Sequence, residues 1–143
     1  MARIYTSRNI NINIYFLTNW DTLYLTNAAK LIASPDYTGM TSSYLSMYPN
    51  NLLLTWLYSI LFPAGTALGL HWAYFVILIQ CALAVLGGLM LFSLASDLTT
   101  PAAAYFVWAV YAIHIGLSPW LGILSSDPIT LCVPIASLYL YHR

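Results

Sequence analysis

Residues 70–95 run for 26 positions without one charged side chain. No other feature constrains the fold as strongly. A helix of that length rises about 39 Å, against a hydrocarbon layer about 30 Å thick. Trp72 stands near its start, where an amphipathic ring suits a membrane–water boundary. The segment therefore reads as a transmembrane helix. Composition agrees: 6% of the 143 residues are charged and 61% are hydrophobic, whereas soluble domains carry about 25% charged residues. The formal net charge is zero, so nothing points to nucleic acid as a partner.

Further apolar stretches follow. Residues 101–118 predict a second, shorter span, with Pro101 suited to a first helical turn. Residues 129–141 predict a third, which is short unless 119–128 also enters the membrane. Before the long span the chain is polar and aromatic. Its first 20 residues lack the continuous apolar core and small-residue cleavage site of a secretory signal. Residues 21–32 place Leu23, Asn27, Ala28, Leu31 and Ile32 at helical spacing, with Asp21 at the cap. That predicts a short amphipathic helix at an interface, and "ASPDYTG" a turn after it. Residues 51–62 rise only about 18 Å as a helix, and Pro63 and Gly65 are expected to interrupt it. An interfacial or re-entrant helix fits better than a span. The predicted fold is an all-α integral membrane bundle. It has about three transmembrane helices (70–143) and two short interfacial helices in a loop (1–69), as one membrane domain over 1–143.

Counting crossings matters for function. If 51–63 does not cross, Asp21, the Tyr48–Asn51 stretch and Asp127 share one membrane face, and Asp97 and Arg143 share the other. If it crosses, Asp21 and Asp127 are separated. Arg3, Arg8 and Lys30 precede the spans and Arg143 follows them. A literal positive-inside count would put the N-terminal loop in the cytoplasm.

Few residues can carry chemistry. Asp127 follows Ser125 and Ser126 and precedes Pro128. An ionisable group near membrane depth usually faces protein or a water-filled cavity, yet Asp127 also reads as a cap of the last helix. Asp21 reads as a cap or as a general base toward a hydroxyl. Asn50 and Asn51 read as caps of the 52–62 helix, or, with Tyr48, as the rim of a cavity. Asp36 reads as a turn residue and Asp97 as a solvated loop acid. Cys81 and Cys132 read as small buried hydrophobes. His71 and His114 have no second ligand at helical spacing, so no metal is predicted. Gly87 and Gly88 predict close helix packing.

Three stretches in order, "WDTLYLTNAAKLI", "YPNNLLLTWLYSILF" and "SPWLGILSSDPITLCVPIASLYLYHR", resemble the N-terminal part of multi-pass GT-C glycosyltransferases. The likeness is to the bacterial group related to protein O-mannosyltransferases and lipid-A aminoarabinose transferases, in variants common among Gram-positive members. It covers roughly residues 20–143. The resemblance implies that Asp21 is the catalytic base of the first extracytoplasmic loop. It also implies two membrane-surface helices after it, and Asp127 as a second acid in the next loop. Tyr48, Asn50, Asn51 and Ser126 would then contact substrate. The donor would be a sugar on a polyprenyl phosphate. The acceptor would be a glycan, lipid or protein hydroxyl at the outer face of the plasma membrane. No cofactor is required, a divalent cation being the optional addition. Family members carry a transmembrane helix before the catalytic acid and several later helices, so this chain corresponds to a fragment. The alternative is a non-catalytic membrane subunit or small transporter component, with Asp127 and His114 lining a polar path.

Overall fold

A computed structural model of the protein describes residues 21–33, 42–124 and 126–143. Everything regular among them is helical. Six α-helices follow in order: α1 (Asp21–Ile32), α2 (Ser42–Met47), α3 (Leu52–Ala67), α4 (Trp72–Leu98), α5 (Pro101–Gly116) and α6 (Asp127–His142). Short 3₁₀ turns, Pro49–Asn51 and Pro119–Gly122, precede α3 and α6. The all-α class is as expected. Among the described residues one helix, α4, is long and apolar enough to cross a membrane. The 16 residues of α5 and of α6 each give about 24 Å.

Helix α4 is the axis of the fold. Its 27 residues rise about 40 Å, and different partners cover its two ends. Near its start, α3 returns along it as an antiparallel hairpin arm. Phe62 meets Trp72 at 4.7 Å between ring centroids, and Gln80 Nε2 donates to Tyr58 Oη at 3.2 Å. Helix α1 lies on α3. Leu25, Ala29, Leu54, Tyr58, Phe62, Ala73, Val76 and Ile77 form the buried core there, joined by Leu124 from the loop before α6. Thr22, Thr26, Thr55, Ser59 and Gln80 are buried around it.

Farther along, α5 and α6 pack mainly on α4. Tyr111 Oη donates to the Ala84 carbonyl at 2.8 Å and Cys132 Sγ to the Leu83 carbonyl at 3.0 Å. Both approaches depend on the missing side chains of Gly87 and Gly88. A Cβ on Gly88 would sit 2.9 Å from Tyr111 Cε1, and one on Gly87 would sit 3.3 Å from Cys132 Sγ. The predicted close packing at this pair is therefore present, and two side-chain donors reinforce it. Cys81 and Cys132 are half-buried rather than buried. At the far end Arg143 Nη2 donates to Ser93 Oγ at 3.2 Å, and His142 Nε2 lies 3.7 Å from Asp97 Oδ2. Helices α4 and α6 thus run parallel, with α5 antiparallel between their ends. Asp97 and Arg143 do share an end, as expected, but Asp97 belongs to the last turn of α4 and not to a loop.

Two further expectations need correction. Pro63 and Gly65 do not interrupt the third helix, which runs on to Ala67. Proline inside a helix costs about 3 kcal/mol, and here packing on both sides offsets it. Gly65 serves that packing: a Cβ on it would fall 2.7 Å from Phe75 Cβ. Asn50 and Asn51 do not cap α3. The backbone is already helical at Asn51 (φ −85°, ψ −4°), and no side-chain cap bond forms. Capping by Asn needs an extended backbone at that position, and the preceding 3₁₀ turn removes it.

Candidate functional site

Asp127 opens α6. Ser126 occupies the cap position with a helical backbone and makes no side-chain cap bond. The carboxylate therefore does not cap from outside the helix. It stands in the first turn, where the positive end of the peptide dipoles favours it. Ser126 Oγ lies 3.5 Å from Asp127 Oδ1, so these two expected site residues are neighbours. The exposed Asp127 lines a groove of about 210 Å³ with Ile115, Ser118, Trp120, Leu121 and Leu131. Ser118 fixes the turn that carries Trp120: its hydroxyl accepts from the Trp120 amide at 3.4 Å. The indole is 54% exposed, so the groove offers an aromatic face, a hydroxyl and a carboxylate together. Ser118 and Trp120 were not singled out in the sequence. The signal was available in "SPWLG", a Ser cap and a Pro start around a tryptophan.

Tyr48, Asn50 and Asn51 belong to a different cluster. Asn51 Nδ2 donates to Tyr44 Oη at 2.9 Å, and Asn50 Nδ2 to Asn51 Oδ1 at 3.4 Å. Tyr44 stacks on Tyr24 of α1 at 5.2 Å and meets Tyr48 at 5.2 Å. The cluster ties the start of α1 to the start of α3 through α2. None of its three expected residues lines the Asp127 groove. Asp21 is the first residue of α1, at this same end of the α1–α3 pair. The Asp21 side chain, Arg3, Arg8, Asp36 and Ser125 lie outside the described residues.

A second groove, about 580 Å³, lies at the other end of α1 and α3. Lys30, Phe62, Pro63, Thr66 and Trp72 line it. Lys30 Nζ sits 4.0 Å above the Trp72 ring, an arrangement in which ring and ammonium attract. Partial burial pushes the Lys30 amine below its usual range. His71 caps α4, its Nδ1 accepting from the Ala73 amide at 3.3 Å. His114 lines a groove between α5 and α6. Among the described residues no three His, Cys or Asp side chains gather as a metal site.

Compared with protein-family models, with curated proteins and with solved structures, the chain matches none of them.

Proposed function

We propose that the chain is part of an integral-membrane glycosyltransferase of the GT-C type. The observation that carries this is a pair of unlike grooves, one beside the start of α4 and one where α5 leads into α6. One holds the cation of Lys30 beside apolar side chains; the other holds the carboxylate of Asp127 beside Trp120 and Ser118. A transferase that joins a lipid-phosphate sugar to a hydroxyl needs such a division. The phosphate requires a cation, and the hydroxyl requires an acceptor for its hydrogen.

In this reading α4, α5 and α6 are three spans. Their outward surface supports it: on α5 only Ala104 is buried, while Phe106 is 70% and Ile113 61% exposed. Apolar surface on that scale marks an interaction site or a lipid-facing wall. With Arg143 and Asp97 at one boundary, α4 exceeds the hydrocarbon by about 10 Å at its other end. Only the end of α3 near Phe62 pairs with that part of α4, and α3 continues along α4 at least to Gln80; the transferase reading would place this collar of α1 and α3 on the extracytoplasmic side.

Asp21 would take the proton of the acceptor hydroxyl. The oxygen then attacks the anomeric carbon, and the bond to polyprenyl phosphate breaks with its electron pair on the phosphate. Asp127 would orient the acceptor, with a divalent cation as an optional aid at the phosphate. The test is transfer by the membrane-embedded protein in its full-length form. Asp21→Asn should abolish transfer and leave the fold intact; unchanged turnover sinks the assignment of the base.

A second reading, a non-catalytic subunit or small transporter component, draws on His114 in the groove next to that of Asp127. Sided labelling of cysteines introduced near positions 21 and 127 separates the two. Labelling from one side favours the transferase, and labelling from opposite sides favours the subunit.

A further inference from the structure

Two grooves between α5 and α6 share a wall. The inner one, about 520 Å³, runs along the helices past Leu91, Phe106, Tyr111, His114 and Ile135. The outer one is the 210 Å³ groove of Ser118, Trp120 and Asp127. Ile115 and Leu131 line both, so an apolar groove and a polar one adjoin across these two side chains. Helices α5 and α6 pack mainly on α4, and the 520 Å³ groove lies between them.

Charge at the polar groove selects what can occupy it. Asp127 is an acid, and no Lys or Arg lines either groove. An ionised carboxylate only accepts hydrogen bonds, and like charge repels a phosphate headgroup. The positive end of the α6 dipole does not reverse this, since Asp127 already occupies that first turn. Hydroxyl groups, by contrast, donate to Asp127 and exchange bonds with Ser118, while the Trp120 face covers the apolar side of a head.

We infer that these adjoining grooves bind a neutral, hydroxyl-bearing membrane lipid, with its chain in the groove between α5 and α6 and its head at Asp127, Ser118 and Trp120. The inference rests on the transferase reading for the lipid's role, which is that of the acceptor. The phosphate-bearing donor is then held elsewhere, at the Lys30 groove.

The test is photo-crosslinking of the full chain in phosphatidylcholine nanodiscs. Trace diazirine probes with identical chains carry either a monoglucosyl diacylglycerol or a phosphatidic acid head. The neutral probe should label α5 and α6 peptides lining the groove between them several-fold more than the anionic probe. Asp127→Asn should lower that labelling roughly tenfold, the scale of one charge-assisted hydrogen bond. Asp127→Lys should invert the preference, which a merely misfolded variant would not do. Leu131→Trp, which fills space in both grooves, should reduce labelling of the inner one. Preference of the wild-type protein for phosphatidic acid overturns the inference. So does even labelling of every lipid-facing helix, or protein–protein cross-links showing a second chain in the α5–α6 groove. Binding needs no turnover, so these failures leave the transferase reading standing. Unchanged transfer by Asp21→Asn would remove the assigned base without touching this site.

Discussion

The two ends of α4 are built on different physics. From Trp72 to Gln80 the helix packs on α3, which α1 backs, with Leu124 and Ile129 closing the core, and this collar buries aromatic, hydroxyl and amide groups together. Beyond Gln80 its partners are α5 and α6, and contact depends on small residues and on two side-chain donors to backbone carbonyls. The first arrangement is that of a water-soluble core, where the hydrophobic effect drives burial. The second is that of helices in lipid, where apolar surface can stay outside and close backbone approach does the work. On the proposed membrane reading, one helix would serve both environments.

Tyr58→Ala should break the collar alone. Tyr58 is fully buried, stacks on Phe62 and accepts from Gln80. Its loss should cost about 3–5 kcal/mol through the cavity and the abandoned amide. Hydrogen exchange in detergent should rise across α1 and α3 and stay low in α5 and the second half of α6. Equal loosening of all helices would mean that the two ends are one cooperative unit.

Gly88→Leu probes the opposite end. A Cβ there already meets Tyr111 at 2.9 Å, so a larger side chain must push α5 away. Overpacking of this kind costs about 1–3 kcal/mol. Disulfide trapping between cysteines placed on facing positions of α4 and α5 should fall, with exchange in α1 and α3 unchanged. Undiminished trapping would show that the glycine does not set the spacing.

The sequence made α4 legible because an uncharged run of its length has few other outcomes. The starts of α5 and α6 were legible too, from Pro101 and from the Ser-Asp-Pro stretch. Pro63 misled because propensity is local, while the surface that holds α3 together belongs to α1 and α4. Asn51 misled for a related reason. Capping chemistry was read from residue type, but it depends on a backbone angle that the Pro49–Asn51 turn had already fixed. The bond it makes instead, to Tyr44 seven residues earlier, has no signature in spacing. That difference is testable: a cap predicts that Asn51→Ser keeps stability, since Ser caps well. The Tyr44 bond predicts that Asn51→Ser and Asn51→Ala both lose about 1 kcal/mol. It also predicts that adding Tyr44→Phe costs little more, as for any two residues in one contact.

The smallest effect concerns the collar's charged edge. Burial lowers the Lys30 amine from 10.5 in the folded state, against the attraction of the Trp72 ring beneath it. A lysine lowered on folding makes the unfolded chain the better proton binder between the two values. Stability from this group therefore rises with pH inside that window and is level on either side of it. Melting curves of the detergent-solubilised protein should drift upward as pH approaches 10.5, and the drift should disappear in Lys30→Met. Trp72→Leu removes the ring and should widen the window, because burial then acts without the opposing attraction. A drift that survives Lys30→Met would place the titrating group elsewhere and leave the collar's edge electrostatically silent.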